Sequence, residues 1–388
     1  MKRCLYISYD GLLDPLGQSQ ILPYIESLNN NGYRFIIMSY EKIKGNKVKI
    51  KKLKRELNEK NIIWKYFPFR KGKLHFFYRM FMGVFYINFI HFKKKIDLVH
   101  LRGGYPGLIY FISFCRNKYL YDLRAFWGQW SDGGRTKENS FTYKLLLMLE
   151  RKLINHALGI VVLDKSGKDY IQKNFNYMKP LAIIPTSTNI EKYKLNIEKN
   201  KSSIKFVYLG GAEYPPYKII DALKIVKELM HKGLNCEIDF INKNDHVIIK
   251  NIIENEKFND IKYSIIALNH KEVVERLPLY DIGLIFLEKG KWIRMSSPTK
   301  IGEYLAAGLI VFGNKNIAVL DRLSEESESI EIIDIKKNEI IYESKRIEKL
   351  LKKINNIKFR KESRRLAEKY YSLSSANEKY LEIYKKLI

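Results

Sequence analysis

The chain has 388 residues, 46% of them hydrophobic, and carries 70 Lys and Arg against 42 Asp and Glu, a formal net charge of +28. That length implies two domains with sizeable cores. Its three cysteines, Cys4, Cys115 and Cys236, stand at no metal-like spacing, which excludes a disulfide framework or zinc site and points to a reducing compartment.

In chain order, Met1-Lys2-Arg3 precedes an apolar run that stops at Asp10, so no signal peptide is expected. Residues 4–8 read as a first strand, and the loop 9–20 leads into a helix that runs through Leu28. Within that loop, Gly17 lies where a backbone must approach a ligand or the opposite domain closely; a plain Asp-Pro turn is the competing reading. Residues 34–38 form the second strand. The stretch 42–60 is dense in Lys, and residues 62–67 form a third strand. Arg70, Lys71 and Lys73 then precede an aromatic run over 76–90, with Lys93, Lys94 and Lys95 behind it. Arg79 and Asn88 interrupt the run, which is too short for a membrane span. It reads either as a buried helix with an exposed aromatic edge or as a surface that rests on an anionic bilayer.

Further strands follow at 97–100, 119–122, 159–163 and 182–185, with a helical pattern over 143–156. Such alternation implies a parallel sheet covered on both faces. Polar residues at strand ends in such a sheet are candidates for function, here His100, Arg102 and Gly103 after one strand and Asp122 and Arg124 after the next. A structural pairing of Asp122 with Arg124 is the alternative.

The polar stretch 189–203 reads as a linker, after which the pattern restarts: strand 204–209, helix 219–231, strand 236–240, helix 271–276, strand 282–287. The run Ser296-Ser297-Pro298-Thr299-Lys300-Ile301-Gly302-Glu303-Tyr304-Leu305-Ala306-Ala307-Gly308 then predicts a helix with both ends marked. Ser297 is the expected cap, Pro298 the first helical residue and Gly308 the left-handed stop. A strand over 309–312 follows. Free backbone N–H groups and the helix dipole suit an anion at that helix start, with Lys300 as a cation beside it. Glu303, three residues on, lies on the same helix face and can accept hydrogen bonds from a cis-diol. Residues 362–387 form a long amphipathic helical pattern.

The run from Ser297 to Gly308 resembles the donor-site helix of the family 4 glycosyltransferases, and the resemblance extends over nearly the whole chain. It implies a GT-B fold: two doubly wound Rossmann-like domains facing each other across a cleft, with a C-terminal helix crossing back to the first. The expected boundaries are 1–188 for the acceptor domain, 189–203 for the linker, 204–361 for the donor domain and 362–388 for the returning helix. It further implies transfer of a sugar from a nucleotide diphosphate sugar, expected to be UDP-linked, to a lipid-linked or polysaccharide acceptor, with retention, in surface-polysaccharide synthesis. Glu303 would hold the donor ribose. Gly17, Gln18, Lys218, Arg294, Ser297, Thr299 and Lys300 would surround the phosphates and sugar, and His100, Asp122 and Arg124 would line the reacting side. No cofactor or metal is expected, since no Asp-x-Asp-type pair sits in a suitable loop and fixed cations can do the same work.

Two departures stand out. Met295 occupies the place of the family's first motif glutamate, and the loop 210–218 has the lysine (Lys218) but lacks the arginine. The competing readings are a sugar-nucleotide epimerase of the same fold and a non-enzymatic basic protein of the membrane surface. The +28 charge admits a nucleic acid, an anionic membrane or a phosphorylated substrate as partner, and Lys and Asn are abundant throughout, so part of it is background composition. No segment has the register of a nucleic-acid-binding module, so no nucleic-acid partner is expected. The expected location is the cytoplasm, with peripheral contact at the inner face of the cell membrane through the aromatic run.

Overall fold

The computed structural model describes residues 1–388 except 71, 133, 135, 197–202, 213–216, 337–338 and 341, and gives only the backbone at 336, 339 and 344. Two compact domains are present. The first comprises Met1–Gly128, Glu138–Pro185 and Leu373–Ile388, and the second Gln129–Lys137 and Thr186–Ser372.

The first domain is a parallel sheet of β1 (Lys2–Ser8), β2 (Tyr33–Glu41), β3 (Ile63–Pro68), β4 (Leu98–Arg102), β5 (Tyr119–Asp122), β6 (Gly159–Val162) and β7 (Leu181–Ile183). The strand order is 3-2-1-4-5-6-7. The five inner strands are rich in Ile, Val, Leu and Tyr and nearly continuous in burial, as a sheet covered on both faces requires, whereas the edge strands β3 and β7 are only partly buried. The order reverses between β1 and β4, so the loops leaving these two strands flank a crevice at the carboxyl edge. The lysine-dense stretch is a helix, Lys47–Glu59, which buries Ile50, Leu53 and Leu57 and turns its cations to solvent.

The second domain repeats the plan with β8 (Ile204–Leu209), β9 (Cys236–Ile241), β10 (Lys262–Ile266), β11 (Ile282–Ile285), β12 (Ile310–Asn314) and β13 (Ile330–Ile333), ordered 10-9-8-11-12-13. Its reversal falls between β8 and β11. Successive β8 residues serve opposite faces: Phe206 and Tyr208 join one core, Val207 the other. These two sheets are the two Rossmann-like domains of the GT-B fold.

The domain limits differ from the sequence reading for physical reasons. Ile190 and Tyr193 are buried in the second domain's core, so the segment before residue 197 is packed structure; the rest of the expected linker, 197–202, lies outside the described residues. The tail is two helices, Ile357–Tyr371 and Leu373–Leu387. Leu366, Ala367 and Tyr371 pack in the second domain's core, and Ser372 is bridged to Thr188. Only the helix Leu373–Leu387 belongs to the first domain, where Ala376, Tyr380, Ile383 and Tyr384 join the core around Tyr6, Phe35 and Leu98. All three cysteines are buried and free.

Candidate functional site

The site is built where β8 and β11 part. They pair only at Ile282 with Phe206 and Gly283 with Val207, so the Leu209 N–H finds no partner across the sheet. Tyr304, on the helix Thr299–Ala306, fills that gap: its hydroxyl accepts the Leu209 N–H at 2.8 Å. Gly283 makes this possible, because a Cβ there would lie 2.4 Å from the Tyr304 ring. Tyr304→Phe would leave that buried N–H unpaired. The expected cost is about 1–3 kcal/mol, read as a lower denaturation midpoint of the second domain; an unchanged midpoint would mean that Leu209 has another acceptor.

Beyond Leu209 the chain turns at Gly210, whose φ of +117° is in the region that favours glycine. The turn is pinned from β9: Asn242 Nδ2 donates to the Gly210 carbonyl at 2.8 Å, and Asp245 accepts the Ala212 N–H at 2.8 Å. Residues 213–216 of the same loop lie outside the described residues. On the other side, the segment before the helix is held by Asp132, whose carboxylate accepts the N–H groups of Trp292 and Ile293 at 2.7 and 2.9 Å.

The helix start differs from its expected form. Pro298 is itself the N-cap, with φ −57° and ψ 129°, and Thr299 is the first helical residue. Proline has no side-chain acceptor, so no side chain caps the first turn. Ser297 Oγ is buried and, among the described residues, has no hydrogen-bond partner. Gly308 ends the helix in the left-handed conformation, φ +78°, and Arg364 donates to the terminal Ala306 carbonyl at 2.8 Å.

Lys300 reaches from the first turn into the crevice. Its Nζ lies 4.3 Å from the centre of the Tyr208 ring and 4.8 Å from that of Tyr217, and has no hydrogen-bond partner among the described residues. Burial lowers its pKa to about 7, against the pull of Glu303. Glu303 is the mirror case: burial raises its pKa to about 7, opposed by Lys300 and the Tyr193 hydroxyl. His270 Nδ1 stands 3.9 Å from Glu303 Oε1. It opens a helix, His270–Arg276, that begins with an Asn269–Glu272 capping box. The His270 ring also lines a cavity of about 810 Å³ with Lys192, Lys194, Lys271 and Val274. A cation and a carboxylate, each destabilised by burial and only three residues apart, form a place where an anion and a diol would complete the polar partners.

Ser297, Thr299, Lys300 and Glu303 therefore come together with Gly210. Lys218 and Arg294 have other surroundings. Lys218 Nζ is 3.6 Å from Asp221 and 3.7 Å from Glu288, in a separate cavity of about 480 Å³. Arg294 is exposed, and near Asp321 its charge only partly opposes the burial that raises that carboxyl's pKa. Met295 is buried. Tyr193, Tyr208, Tyr217 and His270 went unread in the sequence. Tyr208 carries the one legible signal, a large polar aromatic at the end of an apolar strand.

In the first domain, Gly17 is clamped in its loop: a Cβ there would lie 2.1 Å from the Gly11 carbonyl oxygen. The Gln18 side chain turns back to donate to the Leu12 carbonyl at 2.7 Å. The same loop is held from β2 by Glu41, which accepts the Leu12 N–H at 2.6 Å.

His100, Asp122 and Arg124 are brought together, in a closed cluster. Asp122 Oδ1 is 2.7 Å from Arg124 Nε, and Oδ2 accepts from the Tyr380 hydroxyl at 2.8 Å and from Arg102 at 3.3 Å. His100 meets Asp122 through Nε2 at 3.3 Å and the Tyr384 hydroxyl through Nδ1 at 2.8 Å. Burial would raise the Asp122 pKa, but Arg124, the His100 hydrogen bond and Arg102 hold it well below the usual carboxylate range. Burial lowers that of His100.

No family model and no curated protein sequence matches the chain. Solved structures do match over its full length. Sucrose-phosphate synthase from Thermosynechococcus elongatus is similar with a TM-score of 0.69 at 11% identity, covering 100% of this chain and 99% of that one. A variant of S. aureus TarM in complex with fondaparinux, alpha-GlcNAc-glycerol and UDP is similar with a TM-score of 0.61 at 11% identity, covering 99% and 100%. WaaG, described as a glycosyltransferase involved in lipopolysaccharide biosynthesis, is similar with a TM-score of 0.61 at 11% identity, covering 98% and 99%. The likeness is one of fold.

Proposed function

We propose that this chain is a glycosyltransferase that moves a sugar from a nucleotide diphosphate sugar, UDP-linked by preference, to a lipid-linked or polysaccharide acceptor in surface-polysaccharide synthesis. The observation that carries the reading is the buried Lys300 with the part-buried Glu303 at an uncapped helix start, with Nζ of Lys300 and Oγ of Ser297 both unpartnered among the described residues. The UDP held by TarM and the glycosyltransferase description of WaaG, both similar in fold, support it.

In this reading the diphosphate lies against the N–H groups of Thr299 and Lys300 and the Lys300 ammonium. Its negative charge raises the Lys300 pKa and keeps the side chain protonated. As the glycosidic bond to the diphosphate breaks, charge grows on the leaving oxygen, and these preorganised donors stabilise it. Glu303 accepts hydrogen bonds from the ribose hydroxyls, with His270 beside it. His100, Asp122 and Arg124 position the end of β5 against the helix Leu373–Leu387; their mutual pairing leaves that role in place of contact with the sugar. Retention follows the family resemblance.

The test is calorimetric titration of UDP, GDP and ADP, followed by incubation with UDP-sugars with and without acceptor. Selective UDP binding, with sugar released or transferred, is the expected result. A donor whose sugar changes configuration without acceptor would replace the reading with an epimerase. Absence of nucleotide binding would end it.

A further inference from the structure

The helix Lys73–Lys93 is apolar on two sides, and only one of them is covered. Arg79, Met80, Gly83, Ile87 and Ile90 form the buried side. It packs so closely that a Cβ on Gly83 would lie 2.9 Å from Ile109 of the helix Gly104–Ile112. On the other side, Phe77, Phe81, Phe85 and Phe89 follow at four-residue steps, which keeps them on one face. They are 68%, 67%, 59% and 41% exposed, and the stripe is extended at its ends by Leu74 at 84% and Phe92 at 75%. Beside it, Phe111, Ile112 and Phe114 are 42%, 54% and 70% exposed. The Phe114 N–H is tied to Asn88 of the first helix at 2.8 Å, so the two apolar edges are continuous. A patch of this kind on a water-soluble face marks an interaction surface.

Its charges say what covers it. Between Lys60 and Tyr121 the only acidic residue is Asp97. Arg70 and Lys73 stand at one end of the stripe and Lys93, Lys94 and Lys95 at the other. The Lys93 ammonium lies 4.6 Å from the Phe89 ring and that of Lys152 lies 5.5 Å from Phe111, so cations fringe the aromatics. At the Arg70 end is a cavity of about 500 Å³ lined by Pro68, Arg70, Leu74, His75 and Tyr78. Aromatic rings edged by lysines suit the boundary between acyl chains and anionic headgroups. A second copy of this chain is a poor occupant, since it would bring the same cations to the same edge on a molecule of charge +28. Among the described residues no helix is long and apolar enough to cross a membrane.

We propose that this face docks on an anionic lipid bilayer, with the phenylalanine stripe at the depth of the headgroup boundary and the flanking Lys and Arg on lipid phosphates. The inference is independent of the glycosyltransferase reading, because none of these residues belongs to the Lys300–Glu303 site.

Vesicle flotation tests it, using phosphatidylcholine vesicles with and without phosphatidylglycerol. Wild type is expected to float with the anionic vesicles and far less with the neutral ones. Phe81→Ser with Phe85→Ser should lower partitioning about tenfold or more, with an unchanged unfolding midpoint. Lys93→Glu with Lys94→Glu should abolish the preference for anionic lipid. Lys51→Glu with Lys52→Glu, on the helix Lys47–Glu59, is the control for charge alone. Flotation indifferent to the two phenylalanines, or as sensitive to the control pair, would overturn the proposal. So would a wild-type dimer in light scattering that the phenylalanine substitutions dissociate, since the face would then join two copies.

Discussion

Glu303→Gln is expected to stabilise the ligand-free protein while weakening its grip on nucleotide. In the folded state the Glu303 pKa is raised to about 7 by burial. Between its ordinary value and pH 7 the folded chain therefore holds a proton that the unfolded chain has lost. That contribution to stability is fully present at acid pH and disappears as pH rises through 7. Lys300, lowered to about 7 from 10.5, behaves in the opposite sense. Above pH 7 the unfolded chain holds the extra proton, so stability climbs with pH up to the ordinary lysine range. Together the pair gives a stability minimum near neutrality, where both groups resist being charged. The Gln variant removes the acidic limb, and Lys300→Met removes the alkaline one. Glu303→Gln should gain about 1–3 kcal/mol at pH 8, measured by urea denaturation at several pH values. In the same variant UDP binding should weaken about tenfold, and Glu303→Ala by up to about 150-fold, from loss of charged hydrogen bonds worth about 1.5–3 kcal/mol. A Gln variant less stable than wild type at pH 8 would show that Glu303 holds the fold together and is not held in readiness for a ligand.

Asp122→Ala is expected to be the most damaging single change in the first domain. The carboxylate is fully buried and compensates Arg102 and Arg124 while accepting from His100 and Tyr380. Removing it leaves the buried Arg102 and the part-buried Arg124 guanidinium groups without a counter-charge, at a cost of about 3–5 kcal/mol. Because its folded pKa is depressed, the stabilisation is complete above the ordinary carboxylate range and is lost as pH falls through the folded value. Acid unfolding should therefore be steep in wild type and shallow in the variant. Hydrogen exchange across β4, β5 and the helix Leu373–Leu387 would locate the loss. Asp122→Asn separates this role from chemistry: a folded, stable Asn variant without turnover would make Asp122 a reacting group, whereas the expected result is a destabilised protein whose residual folded fraction turns over normally.

Much of the architecture was legible because parallel strands announce themselves as short apolar runs. All seven strands of the first sheet could be read in this way. The second sheet was read less completely: β10 and β13 went unread, their burial being partial at Tyr263, Ser264, Glu331 and Ile332. Gly308 was legible because a positive φ has a residue signature; the cap was not, since Ser297-Pro298 is compatible with two helix starts one residue apart. The tail was read as one helix because apolar spacing continues across Ser372. The chain breaks there through a bridge to Thr188, nearly two hundred residues earlier. Asp122 and Arg124 stood out at a strand end, but Tyr380 and Tyr384, which complete their cluster, come from the far end of the sequence. Long-range partners of this kind leave no local pattern.

The discontinuity of the first domain sets an order of events during synthesis. Its sheet is translated by Pro185, but Tyr380, Ile383 and Tyr384, which fill its core and close the Asp122 cluster, emerge only after the whole of Thr186–Ser372. The second domain has its own segments, including Gln129–Lys137, by the time residue 372 is made. On the ribosome the second domain can thus finish first, although it is encoded later. Until then the first domain waits with an open core and an unshielded carboxylate, and a nascent chain that stops short of residue 380 carries that defect as a mark that proteases and chaperones can read.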